Sequence, residues 1–357
     1  QGGTPGTYAD SGQALGNSSS LGVALGDLDG DGDLDAWVAN NSQPNRVWIN
    51  QGGFQGGTPG SFADSSQALG NSNSNGVTLG DLDGDGDLDA WIANFNNQPN
   101  RVWINQGGDQ GGTPGTYVDS GQALGVSASN DVALGDLDGD GDLDAWVTNN
   151  GQPNRVWINQ GGDQGGNPGS YTDSGQALGN STSWEVALGD LDGDGDLDAM
   201  TSNQFQPNRV WINQGGVQGG VPGTYADSNQ ELGNYASRDV ALGDLDGDGD
   251  LDAWVANHNN EPNRLWINQI ACYTDDIDGD GITNECDIDQ SAGEDCNSNG
   301  ILDACDIAGG AADSDGNGIP DECEETPFIR GDFNGDGGVD IGDAIATLDY
   351  LFTGGSI

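Results

Sequence analysis

The sequence predicts an all-β fold: a β-propeller of five four-stranded blades, followed by an irregular tail with one short C-terminal helix. Three observations predict it. The string Gly-Asp-Leu-Asp-Gly-Asp-Gly-Asp-Leu-Asp-Ala recurs five times, its first Asp at Asp27, Asp81, Asp136, Asp190 and Asp244, at intervals of 54, 55, 54 and 54 residues. Every unit carries four short runs rich in β-branched and aromatic residues, separated by Gly, Pro and Asn turn signals. No segment shows a 3.6-residue period before the far C-terminus. Four strands in one repeat unit, used again and again, is the pattern of a propeller blade.

In the first unit Tyr8 to Leu15 is the first expected strand and Val23-Ala24-Leu25 the second, leading into the acidic loop. Ala36-Trp37-Val38-Ala39 leaves the loop as the third. Arg46-Val47-Trp48-Ile49-Asn50 is the fourth, with Pro44-Asn45 and Gln51-Gly52-Gly53 as its turns. The repeats open on a strand of the first type and end on one of the fourth type, Leu265 to Asn268. The opening strand could therefore complete the last blade and close the ring, or pair with a neighbouring molecule. Gln1-Gly2-Gly3 matches the middle of the spacer from Gln51 to Gly57, so the chain begins inside a repeat linker, and an upstream segment or processing is expected.

Composition narrows the function. The 357 residues include 59 acidic and 7 basic ones, a formal charge of −52, and every basic residue is an arginine. Nucleic acid and anionic membrane surfaces both need Lys/Arg patches, so neither is an expected partner. Lysine chemistry is excluded, and no stretch is apolar enough for membrane insertion. The partners implied are cations. Disorder, common in acidic chains, is argued against by 10 Trp, nearly all recurring at fixed repeat positions.

The acidic loops carry the chemistry. Carboxylates occupy alternate positions: Asp27, Asp29, Asp31, Asp33 and Asp35; Asp81, Asp83, Asp85, Asp87 and Asp89; Asp136, Asp138, Asp140, Asp142 and Asp144; Asp190, Asp192, Asp194, Asp196 and Asp198; Asp244, Asp246, Asp248, Asp250 and Asp252. A pair of such charges ~5 Å apart costs about 3 kcal/mol at an effective dielectric near ~20. A loop of this kind closes around a divalent ion. Calcium, which takes six to eight oxygens, fits better than magnesium, which keeps its waters and demands an octahedron.

With these loops, the following Ala36 to Asn40 and the segment Asn45 to Asn50, the repeats over residues 1–269 resemble the FG-GAP/VCBS family of integrin-α-like propellers. The resemblance implies side-chain ligation by Asp27, Asp29, Asp31 and Asp35, with Asp33 through its carbonyl, and likewise in the other copies. Family propellers commonly have seven blades, so five is a departure. The repeated Trp are expected between blades, and Arg46, Arg101, Arg155, Arg209 and Arg264 paired with acids or blade carbonyls. In the fourth repeat Met200 replaces the loop-following Trp, and Trp184 is peculiar to it.

The tail changes pattern. Residues 270–326 hold three shorter acidic loops: Asp276, Asp278, Asp280, Asn284 and Asp287; Asp295, Asn297, Asn299, Asp303 and Asp306; Asp313, Asp315, Asn317 and Asp321. With their Cys spacing they resemble thrombospondin type 3 repeats, which implies calcium-filled turns. Cys296 and Cys305 flank the second loop and could bridge it; Cys272 with Cys286 would then leave Cys323, and other pairings stay open. Disulfides would suit an oxidising compartment. Residues 327–357 carry Asp332, Asn334, Asp336, Asp340 and Asp343 at EF-hand spacing, then an amphipathic helix with Ile345, Leu348, Leu351 and Phe352 on one face. This resembles half of a dockerin.

About nine calcium sites are expected in all: five propeller loops, three tail loops and the EF-hand-like loop. Catalysis is not expected. The one histidine, His258, lies in a repeat loop, and no nucleophilic triad can be assembled around it. The expected role is that of a secreted or cell-surface calcium-binding structural protein that self-associates through its tail or an exchanged strand. An adhesion or lectin-like module taking an extracellular protein or glycan is the alternative, and a carbohydrate-active enzyme a more distant one.

Overall fold

The computed structural model of the chain describes residues 6–247 and 249–269. The tail loops from Asp276 to Asp343, the cysteines, the C-terminal helix and Asp248 of the fifth acidic loop lie outside the described residues.

Five antiparallel sheets follow one another along the chain. The first blade is β1 (Ser20–Gly26), β2 (Asp35–Asn40), β3 (Arg46–Asn50) and β4 (Phe62–Asp64). The second is β5 (Ser74–Gly80), β6 (Asp89–Asn94), β7 (Arg101–Asn105) and β8 (Tyr117–Asp119). The third is β9 (Ser129–Gly135), β10 (Asp144–Asn149), β11 (Arg155–Asn159) and β12 (Tyr171–Asp173). The fourth is β13 (Ser183–Gly189), β14 (Asp198–Asn203), β15 (Arg209–Asn213) and β16 (Tyr225–Asp227). The fifth has three strands, β17 (Ser237–Gly243), β18 (Asp252–Asn257) and β19 (Arg264–Trp266). Strands pair in sequence order within each blade, and β1, β5, β9, β13 and β17 are the inner strands that neighbour one another. The described residues form the expected all-β, propeller-like fold of five blades, with three strands rather than four in the fifth.

Strand limits differ from the sequence expectation. Only the aromatic start of the expected first strand pairs in the ladder: Phe62 stands opposite Asn50, as the outermost strand of the preceding blade. Its Leu end makes an isolated bridge, Leu69 with Asn45. A Gln at position 67 cuts the run short by bonding across the blades instead. Its Oε1 accepts from Tyr117 N at 2.8 Å and its Nε2 donates to Gly115 O at 2.7 Å. The equivalent opening segment is not a strand, and Tyr8 is fully exposed.

The core lies between blades. Leu28, Trp37, Ala39 and Val47 of the first blade meet Leu69 of the linker and Val77, Ala90, Ile92, Trp103 and Tyr117 of the second. The same positions meet at each later junction. Trp37 stands edge-on to Tyr117 at 6.0 Å, as Trp91 does to Tyr171 at 6.2 Å, geometries that suit the ring quadrupoles. A repeat unit buries its apolar surface only against a neighbour, and among the described residues two faces lack one. Val23 is 64% exposed where Val77 is 9%, and Trp254 is 51% exposed where Trp91 is 0%.

Candidate metal centres

Each acidic loop joins an inner strand to the next strand, so repetition places all five at one end of the propeller. Asp27 shapes the loop. Its two oxygens accept from the backbone N–H of Asp31 at 3.0 Å and Gly32 at 2.9 Å. Gly32 takes a φ of +90°, which a residue with a Cβ adopts only under strain. Asp35 anchors the far side. It is fully buried and accepts from Leu28 N at 3.0 Å and Asn50 N at 2.7 Å. The second loop repeats this with Asp81 and Asp89.

These backbone bonds bring carboxylates together. Oxygens of Asp27, Asp29 and Asp35 lie within 4.8 Å of one another, as do those of Asp136, Asp138 and Asp144, and of Asp244, Asp246 and Asp252. In the second and fourth loops the trio is Asp81, Asp83 and Asp85, and Asp190, Asp192 and Asp194. Asp29 Oδ1 and Asp33 Oδ2 are buried without a hydrogen-bond donor, and so are the matching atoms of Asp83 and Asp87, Asp138 and Asp142, and Asp192 and Asp196. Buried polar atoms normally find partners. Two orphaned carboxylate oxygens recurring in four loops therefore point to a cation as the missing partner. An all-oxygen, anionic donor set suits a hard ion.

Electrostatics point the same way. Burial, and then the charges of Asp35, Asp31 and Asp27, push Asp29 up to about 6. Asp83, Asp138 and Asp192 are each raised to about 6, again by burial first and their loop neighbours second. Burial lifts Asp89 to about 8 and Asp144 and Asp198 to about 7, against the backbone donors that favour their charged forms. Without a cation these loops hold protons near neutral pH; a bound divalent ion would displace them.

The Gln-Gly-Gly spacer, read from sequence as a turn, is also part of the site. A Cβ on Gly52 would collide with Asp33 Oδ2, and one on Gly53 with Asp31 Oδ2. Gln55 donates to Asp29 Oδ2 from the same spacer, as Gln218 does to Asp192 Oδ2 at 2.6 Å. The signal was present as a Gly-Gly after the fourth expected strand of the first four repeats, but only folding sets it against the loop. The following blade closes the site from the other side. Asn105 Nδ2 donates to Leu28 O at 2.9 Å, as Asn159 does to Leu82 O at 2.9 Å and Asn213 to Leu137 O at 2.8 Å.

The remaining residues singled out are placed as follows. Trp37, Trp91 and Trp146 are buried between blades. Arg46 Nη1 donates to Gln67 O at 2.9 Å and lies 3.8 Å from Asp64. His258 is exposed beside β18.

Residues 27–92, 81–147 and 136–201 each match the FG-GAP-like repeat family, so the chain carries FG-GAP-like repeats. No curated protein matches the sequence. Among solved structures, the chain is similar to the V. cholerae biofilm matrix protein Bap1, at 16% identity and a TM-score of 0.39 over 67% of this chain and 35% of that one. It is also similar to an Agrocybe aegerita lectin described as recognising non-reducing terminal N-acetylglucosamine, at 18% identity and a TM-score of 0.42 over 71% and 64% of the two chains. In both comparisons the chain spans less than two thirds of the other protein's length.

Proposed function

We propose that this protein is an extracellular calcium-binding structural component whose propellers join head to tail through the open faces of the first and fifth blades. One observation carries the reading: the same interface is used at four successive junctions, and one copy of each of its halves is left uncovered. Leu15, Val23, Val38, Trp48 and Phe62 line an apolar hollow of about 580 Å3 on the first blade. They match Leu69, Val77, Ile92, Trp103 and Tyr117 at the first junction. On the fifth blade Leu245, Trp254 and Leu265, each about half exposed, match Leu28, Trp37 and Val47. Among the described residues the fifth blade has no fourth strand, and the Tyr8 segment is of the type that supplies one. Finally, among the described residues Asn50 Nδ2 donates within its own blade, to Leu34 O at 3.2 Å, where Asn105 also reaches across to the preceding blade.

A contact between unlike faces builds rings or filaments rather than closed dimers. Calcium enters twice in this reading. It closes the five propeller loops against which successive blades pack, and it lowers the charge of −52 that otherwise keeps copies apart. The tail's four acidic loop motifs and five cysteines, read from the sequence, are in keeping with a secreted or surface location. No helix among the described residues is long and apolar enough to cross a membrane. The role is non-catalytic, since the loop acids serve a resident cation.

Light scattering and negative-stain microscopy of the whole chain in millimolar calcium test this. Assemblies that grow with protein concentration, disperse in chelator and are lost in Leu265→Glu are expected. Monodisperse monomers in calcium at every concentration would overturn the reading.

A further inference from the structure

The inner strands are nearly identical except at two successive positions. Every one begins with Ser and continues to Val, but the residues between are Leu21-Gly22, Asn75-Gly76, Asn130-Asp131, Trp184-Glu185 and Arg238-Asp239. These positions lie at the opposite end of the inner strands from the acidic loops. They line the mouth of a cavity of about 940 Å3 that runs across the inner strands of all five blades. That volume suits a small organic ligand.

The residues found in only one repeat meet one another there. The Arg238 guanidinium lies 3.6 Å from the Trp184 ring centroid, a close cation–π contact. Among the described residues no ion pair or hydrogen bond of that guanidinium occurs, although the chain is strongly acidic. Trp184 is steadied by its Nε1–H, which donates to Gln204 Oε1 at 3.2 Å. Beside them Asp131 and Glu185, from neighbouring blades, line the same cavity, and burial raises both carboxyl groups. Asp239 is exposed at the rim. Asn75 Nδ2 and Asn130 Oδ1, 3.3 Å apart, extend the polar wall, and Asn130 is locked by donating to Ser183 O at 2.6 Å.

This donor and acceptor set discriminates between ligand classes. An amine would be drawn to Asp131 and Glu185 but repelled by Arg238. An anion would meet Arg238 but face the acid pair and Asp239. A neutral polyol satisfies both, because each hydroxyl donates to one partner and accepts from another.

We propose that this axial mouth binds a neutral saccharide, with Arg238 donating to its hydroxyls and the Asp131–Glu185 pair accepting from them. Arg238, Asp131 and Glu185 lie outside the first-blade hollow, although the cavity shares Leu21, Gly22 and Val23 with it, so the test uses the dispersed chain. The test is an array of neutral, uronic and amino-sugar glycans, probed with the dispersed whole chain in calcium and followed by titration calorimetry of the best neutral binder. Retention of neutral glycans is expected, with losses of at least about tenfold in Arg238→Ala and Glu185→Gln. Unfolding midpoints check that both variants fold, and Arg238→Lys, which keeps the charge but loses the planar fork, should also bind weakly. Retention of only charged glycans, of none, or of neutral glycans with wild-type affinity by Arg238→Ala would overturn the proposal.

Discussion

The same sequence position is fully covered in the second blade and half open in the fifth, which gives a matched pair of perturbations. Trp91 and Trp254 sit in the near-identical runs Asp89 to Asn94 and Asp252 to Asn257, so their unfolded states are nearly equivalent. Trp91 is 0% exposed, and Trp91→Ala should cost about 3 to 5 kcal/mol as a buried aromatic truncation. Part of that is the edge-on Tyr171 contact, of the order of 0.5 to 1.5 kcal/mol for such pairs. Its buried Nε1–H has no acceptor, which places the expected loss at the lower end, about 3 kcal/mol. Trp254 is 51% exposed with no blade against it, so Trp254→Ala should cost under about 2 kcal/mol in dilute solution. Urea unfolding of the whole chain in saturating calcium reads both. Repeating it at high protein concentration should raise the cost of Trp254→Ala toward that of Trp91→Ala, as a second copy covers the face. Equal losses in dilute solution would refute the reasoning, because they would mean that Trp254 is already covered within one chain.

Two further outcomes follow from the acidic loops. In excess chelator the chain should become more stable on acidification from pH 7 to pH 5. Asp89, Asp144 and Asp198 are raised to about 8, 7 and 7, so the folded state binds more protons than the unfolded one in that window. The gain is about 1.4 kcal/mol per pH unit per loop as an upper bound, lost as pH rises through the folded values. Calcium should abolish the trend or reverse it, and thermal melts showing acid destabilisation in chelator would contradict the assignment. Separately, Gly107→Ala places a Cβ against Asp87 Oδ2 and should remove one calcium per chain from the calorimetric count. An unchanged count would show that the Asp87 side chain is not a ligand.

Much of this was legible in the sequence because the repeat is strict. Five copies of one loop gave the blade count, and alternating Asp gave the carboxylate clusters. Other features depend on neighbours that a linear reading cannot see. Trp91 and Trp254 look alike on paper, and only the presence or absence of a following blade separates them. Leu69 was expected in a strand with Phe62, but the cross-blade bonds of Gln67 end the ladder first. Gly52 and Gly53 read as turn formers, although the loop carboxylates also leave no room for a Cβ. Trp184 stood out as a departure and Arg238 did not. Their significance lies in meeting, and only the curl of the blades around an axis brings residues one repeat apart into contact.

The hydrogen bonds from Asn105, Asn159, Asn213 and Asn268 to the preceding loop all run the same way, from a blade to the one before it. That gives the row of blades a polarity. Each of the first four loops is clasped by its successor, whereas Leu245 O receives no such donor among the described residues and Asp244 and Asp246 are exposed. If the loops hold calcium as proposed, the fifth loop should therefore be the first to empty as calcium falls, and each loss should loosen the clasp on the loop before it. On that reading the propeller would come apart like a zip with a single slider, and whatever covers the fifth blade would set the calcium level at which the slider begins to move.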